Sequence, residues 1–282
     1  DGIFTHNNGT IEFDPSCTSF TSIFYTINVN NTTKLNHVIF NANSSSSGDE
    51  RMRVEPNDTL KVEGNLLLED GASAGGLISC EGNVTILSEF SNSNAPIMFA
   101  GNNNQNFDLT TVVSNHNNDV IVDKTSGDVF LLTNLEMDNS NDLYLKNCNI
   151  ISTNANLLIL GDESRTFNAS DSSFVNGPMQ KIGNDAFTFP VGKNDTAFAP
   201  ISISAPNNVD HHFTAEYFQQ SANSVPYDIT LKEPSIQDIS RCEYWILDRT
   251  NGASNVNVTL SYKDFIAPRA CNGSVVTDQN EL

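Results

Sequence analysis

The feature that most limits how this chain can fold is a tripeptide that returns. Glu63-Gly64-Asn65 recurs as Glu81-Gly82-Asn83, eighteen residues later, and each copy leads into a short apolar strand: Leu66 and Leu68 after the first, Val84 and Ile86 after the second. Thr133-Asn134 and Thr153-Asn154 likewise hold matching places, twenty residues apart, in "LTNLEM" and "STNANLLIL". A unit of about twenty residues built from short strands cannot bury its apolar side chains alone, so such units stack on one another as a solenoid. From Asp1 to about Ser172 the apolar residues come in pairs and triplets between polar turns, with no helical period of useful length. The step drifts and the coils share little identity. The expectation over residues 1–172 is therefore a degenerate parallel β-helix, with a conventional sandwich as the alternative for part of that half.

Only 17% of the residues are charged, so polarity is carried by Asn, Ser and Thr, which favour turns and capped loops over helices. An all-β chain follows. Asn at successive solenoid corners has a physical use, because side-chain amides stacked coil over coil hydrogen-bond along the axis and Asn tolerates left-handed backbone. "GNNNQN" at 101–106 and "SNHNND" at 114–119 are either such corners or solvated loops, loops being the commoner fate of such clusters.

From about Phe174 the strands lengthen and alternate cleanly. "AFTFPVG" puts Phe187, Phe189 and Val191 on one face and Thr188 on the other, with Pro190 demanding an edge or a strand end. "PISISAP" buries Ile201 and Ile203, and "HHFTAEYF" sends Phe213, Ala215 and Tyr217 inward and His212, Thr214 and Glu216 outward. "NVNVTLSY" is expected to turn Val256, Val258, Leu260 and Tyr262 inward. One wet and one dry face per strand, with Gly, Pro and Asn turns between, describes an antiparallel β-sandwich over residues 173–282.

The run "FVNGPMQKIGNDAFTFPVGKNDTAFAPISISAP", then "FTAEYF", "ISRCEYWILDRTNGASNVNVTLSY" and a later Cys, resembles a module of large secreted and surface-anchored proteins of the Bacteroidota. Over residues 173–275 the resemblance rests on these motifs; over 1–172 it rests on composition. It implies degenerate β-helix repeats before the module, export through the type IX secretion system, and a location outside the cell. No catalytic residues come with it. Cys242 and Cys271 flank the module's strands, and a disulfide between them would close a loop worth about 2–4 kcal/mol in an oxidising location. Cys80 and Cys148 lie in solenoid-like strands and are expected as core thiols. The odd count of five cysteines leaves at least one without an intramolecular partner, and no C-x-x-C spacing points to zinc or redox chemistry.

Gly192-Lys193 invites comparison with a phosphate loop, but Asn194 follows where Ser or Thr is needed, no Gly stands five residues before Gly192, and the preceding segment is an aromatic strand. Gly177-Pro178 and Gly183-Asn184 instead mark turns where the chain leaves the solenoid. His6, His37 and His116 stand in polar surroundings, whereas His212 and Glu216 share a strand face and could hold a metal or act as base and orienter, although surface polar positions are the commoner fate of such a pair and no catalytic or metal-binding residue is expected. Arg51 and Arg53 face one side of a strand beside Glu50 and Glu55, their expected surface partners. Glu136, Asp138 and Asp142 offer oxygens for calcium without an EF-hand's glycine or terminal Glu, so calcium is a weak signal and no cofactor is expected.

The net charge of −20 repels phosphate backbones and anionic headgroups, and no basic cluster offsets it locally. Nucleic acid is thereby disfavoured as a partner, and no run of eighteen apolar residues spans a membrane. The chain opens at Asp1 without an initiator Met and stops at "TDQNEL", which suggests a piece of something longer. The expectation is a non-enzymatic segment of an exported surface protein, a stalk or adhesive module. Its partners would be cell-surface or secretion-machinery proteins and glycans. The rival is a carbohydrate-active β-helix, a calcium-assisted polysaccharide lyase or a glycoside hydrolase.

Overall fold

The computed structural model describes residues 5–14, 23–29, 33–41, 50–70, 72–87, 95–109, 116, 118–195, 197–224, 227–236 and 239–261. Almost everything regular in it is strand; among the described residues the helix amounts to one 3₁₀ turn, Ala222–Ser224. Two long parallel sheets wind along one axis as a β-solenoid of about six turns. The first sheet joins β1 (Thr10–Phe13), β4 (His37–Asn41), β6 (Leu66–Asp70), β8 (Val84–Ile86), β10 (Gln105–Leu109), β12 (Val129–Leu131), β15 (Ile150–Ile151) and β18 (Val175–Asn176). The second joins β2 (Ile23–Ile27), β5 (Glu50–Val62), β7 (Ala72–Cys80), β9 (Ile97–Phe99), β11 (Val120–Asp123), β14 (Leu143–Asn147) and β17 (Thr166–Phe167), with β3 (Lys34–Leu35) beside β5.

Inward side chains stack in rows, one per coil. Val38, Leu66, Val84, Phe107 and Leu131 lie in register along the first sheet, none more than 3% exposed. Ile78, Ile97, Val120 and Leu143 do the same along the second, all fully buried. Each buried Leu, Ile or Phe contributes about 1.5–3 kcal/mol of transfer free energy, gained only because the next coil covers it.

The returning tripeptide has a steric cause. At the corner before the first sheet, a Cβ on Gly82 would lie 2.4 Å from the carbonyl oxygen of Gly64 one coil below, so only glycine lets the corners stack. The glutamates on either side share a cation: Lys34 Nζ is 2.6 Å from Glu63 and 3.9 Å from Glu81, and His6 Nε2 is 3.0 Å from Glu63. Hydrogen bonding to Glu63 raises the Lys34 pKa, and the same bond lowers that of Glu63.

Parallel pairing continues past residue 172. β18 pairs with β15, and a third sheet stacks β13 (Leu135–Met137), β16 (Leu158–Leu160) and β19 (Met179–Ile182) in parallel. The chain then reverses direction. β24 (His212–Phe218) and β25 (Tyr244–Asn251) add to β19 antiparallel, closing the C-terminal end of the solenoid with a two-stranded ribbon. β20 (Phe187–Phe189), β23 (Ile201–Ile203) and β26 (Val258–Leu260) form a separate antiparallel sheet, and β21 (Gly192–Lys193) pairs with β22 (Ala197–Phe198). Gly177 turns the chain between β18 and β19 at φ 137°, where a Cβ would meet the Ser152 carbonyl at 2.2 Å.

Phe187, Phe189, Ile201, Ile203, Phe213, Ala215 and Tyr217 are buried, as the alternation requires. Val258 and Leu260 are not: they are 48% and 53% exposed. They stand opposite Ile203 and Ile201 on an edge strand paired on one side only, where no described element covers them; Tyr262 lies outside the described residues. Cys80 is a buried core thiol, but Cys148 sits half-buried at a corner with φ 68° instead of within a strand. Cys242 is disulfide-bonded, and Cys271 lies outside the described residues.

Candidate functional site

The solenoid corners are held by side-chain ladders. Before the first sheet, His37 Nδ1 accepts from the Asn65 N–H, Asn65 Oδ1 from the Asn83 N–H, and Asn83 Oδ1 from the Asn106 N–H. The series resumes with Asn104 to Asp128, Asp128 to Asn149 and Asn149 to Phe174, at 2.9–3.0 Å. A second ladder runs from Asp119 through Asp142 to Arg165, and a third from Asn139 through Asp162 to Asn184. Asn104 belongs to "GNNNQN", so that cluster is a corner; in "SNHNND", Asn118 is buried and donates to the Ala95 carbonyl. The acceptors bind backbone N–H groups of the next coil instead of one another's amides. Each link satisfies a donor that a tight corner would leave unpaired.

One corner interior is polar. Lys124, 3% exposed, donates from Nζ to the carbonyls of Ala100 (3.1 Å) and Asn103 (2.9 Å) and to Gln105 Oε1. Gln105, fully buried, donates in turn to the Cys80 and Gly82 carbonyls. Burial lowers the Lys124 pKa and pushes the Cys80 thiol up to about 12. These groups fasten three coils together. His116, expected among polar residues, is likewise fully buried, edge-on to Phe107 at 5.6 Å. Among the described residues neither of its ring nitrogens has a hydrogen-bond partner, and burial depresses its pKa to about 3.

The residues singled out for chemistry do not converge. Glu216 is paired with Lys193 at 3.1 Å and not with His212. His211 contacts Ser254 Oγ at 2.6 Å, which resembles a nucleophile and base. However, Nε2 of His211 accepts from the Ala253 N–H, which leaves Nδ1 as the donor toward Ser254, and the Ser254 hydroxyl is spent on Asn207 Oδ1. That tautomer cannot take a proton from Ser254. Asp138 and Asp142 accept from the Asn139 and Arg165 N–H groups at different corners. Among the described residues, no cluster of three or more His, Cys, Asp or Glu side chains could hold a metal. The side chains of Glu50 and Arg51 lie outside the described part of the structure.

Two surfaces stand out among the described residues. A cleft of about 550 Å³ opens where the chain leaves the last coil, walled by Glu163, Arg165, Thr166, Asp185 and Phe187. Its carboxylates are engaged locally: Glu163 accepts from Ser140 Oγ, and Asp185 accepts from the Glu163 N–H and lies 3.8 Å from buried Lys181.

The second surface is an aromatic ledge on the outer face of β24 and β25. Phe218 and Tyr244, opposite each other in register, stack at 4.7 Å and 6°; Tyr227 meets Tyr244 edge-on at 6.2 Å and is 51% exposed. Lys193 Nζ lies 5.5 Å from the Phe218 ring centre, and Gln220 donates to the Tyr244 hydroxyl. The one signal for this ledge in the sequence is Phe218, an aromatic at the strand position whose companions His212, Thr214 and Glu216 face water. Comparison with family models, curated proteins and solved structures gives no match for the chain.

Proposed function

We propose that this chain is a non-enzymatic segment of a large exported surface protein, working outside the cell as a rigid stalk that carries an adhesive module. In this reading the antiparallel strands after the solenoid form a β-sandwich whose core lies between the β20–β23–β26 sheet and the β24–β25 ribbon. Its partners are cell-surface or secretion-machinery proteins and glycans.

The observation that carries the proposal is the ladder system. The carboxylates of Asp119, Asp128 and Asp142 and the amide of Asn149 are held on backbone N–H groups of the next coil, and a stack locked coil to coil resists bending as a spacer must. The rival, a carbohydrate-active β-helix, draws on the cleft between Glu163, Arg165 and Asp185. Incubation with acidic and neutral polysaccharides, with calcium and with chelator, tests the two. New reducing ends or unsaturated sugars that vanish in Glu163→Gln would establish the enzyme; intact polymers under every condition are expected.

A further inference from the structure

We infer that the ledge formed by Phe218, Tyr244 and Tyr227 is a glycan-binding site and that its ligand is an uncharged polysaccharide; this rests on the adhesive reading above. Phe218, on the outer face of β24, is only part-buried and so forgoes some of the burial that its neighbours Phe213, Ala215 and Tyr217 enjoy. One such ring is unremarkable, but here three rings meet through Tyr244, which stacks on Phe218 and takes Tyr227 edge-on, drawn from a strand, its antiparallel neighbour and a loop. A line of ring surface edged with amide and hydroxyl groups suits sugars, which present C–H faces and hydroxyl edges together. Gln220 and the tyrosine hydroxyls supply the polar edge.

Charge selects the class. The ammonium at the ledge, Lys193, is neutralised by Glu216 at 3.1 Å, so the pair offers neither a free cation for a uronate or sulfate nor a free carboxylate for an amino sugar. The −20 charge of the whole chain adds a repulsive field against polyanions at low salt. An uncharged chain such as a glucan, xylan or mannan meets neither penalty.

The test is electrophoresis of the full chain through native gels containing soluble mixed-linkage glucan, xylan or galactomannan, and in parallel alginate, polygalacturonate or hyaluronan, at low and high salt. Retardation by at least one neutral polymer, insensitive to salt, is expected, with Tyr227→Ala and Tyr244→Ala each weakening it about tenfold. Tyr227 is half exposed, so its truncation leaves the fold intact and separates binding from folding. Retardation by acidic polymers that fades with salt overturns the ligand class, and neutral binding unchanged in both variants overturns the ledge. If no neutral polymer retards the chain, the inference falls while the stalk reading stands. New reducing ends from the retained polymer would instead sink the non-enzymatic reading.

Discussion

Replacing His116 by Leu should make the protein more resistant to acid. In the native state the imidazole is fully buried, has no partner on either nitrogen among the described residues and has its pKa depressed from 6.5 to about 3. The unfolded chain therefore takes up the proton first. Stability is unaffected by this group above pH 6.5, declines as the pH falls from there towards 3, and levels off below. At 1.36 kcal/mol per pH unit, the loss reaches about 3 kcal/mol near pH 4.5. Carboxylates titrate over the same range, but they do so in both proteins and cancel in the difference. Urea unfolding of wild type and His116→Leu at pH 7 and pH 4.5 isolates the histidine. At pH 7 the variant should be equal or more stable, because two unsatisfied polar atoms are exchanged for apolar ones. At pH 4.5 its advantage should have grown by about 3 kcal/mol. Parallel losses in the two proteins, or a variant less stable at pH 7, would refute the reasoning and mean that His116 has a partner or reaches water.

Asn149→Ala removes a buried link whose side chain serves Phe174 while its own N–H is held by Asp128; urea unfolding should show a loss of about 1–3 kcal/mol. Asp142→Ala, at a less buried corner, should cost about 1 kcal/mol in the same assay. Lys124→Ala strands the Ala100 and Asn103 carbonyls and Gln105 in the interior, and a drop of at least about 3 kcal/mol is expected. With a pKa pushed up to about 12, the buried Cys80 thiol should resist a disulfide-exchange reagent at pH 8 in the native protein and react once the chain is unfolded in urea. Rapid native labelling of Cys80 would show that the coil opens.

The solenoid was legible where corners repeat without insertion. The eighteen-residue step is real, since Leu66 pairs with Val84 in register. The twenty-residue match of Thr133-Asn134 with Thr153-Asn154 is displaced: Leu135 pairs with Leu158, and Asn134 serves the Leu157 N–H, because a local turn bridging Thr153 and Asn156 absorbs extra residues. Coil length is set by corners, and corners tolerate insertions that strands do not. His116 was illegible because its neighbours in sequence are polar while its neighbours in space come from adjacent coils. The ledge depends on β24 pairing with β25 across an intervening loop, so only Phe218's place on a wet strand face announced it.

The ladders also have a direction. In the three corner ladders the N–H comes from the residue later in the chain and the oxygen or ring nitrogen from the coil before it: Asn83 reaches back to Asn65, Asn149 to Asp128, Arg165 to Asp142, Asn184 to Asp162. A finished coil therefore holds out a row of fixed acceptors to polypeptide that has not yet wound. For a chain that emerges N-terminus first, every new turn finds its docking points already in position, and assembly can advance like a zip closed from one end. Winding from the other end would require each coil to form before the acceptors that orient it exist.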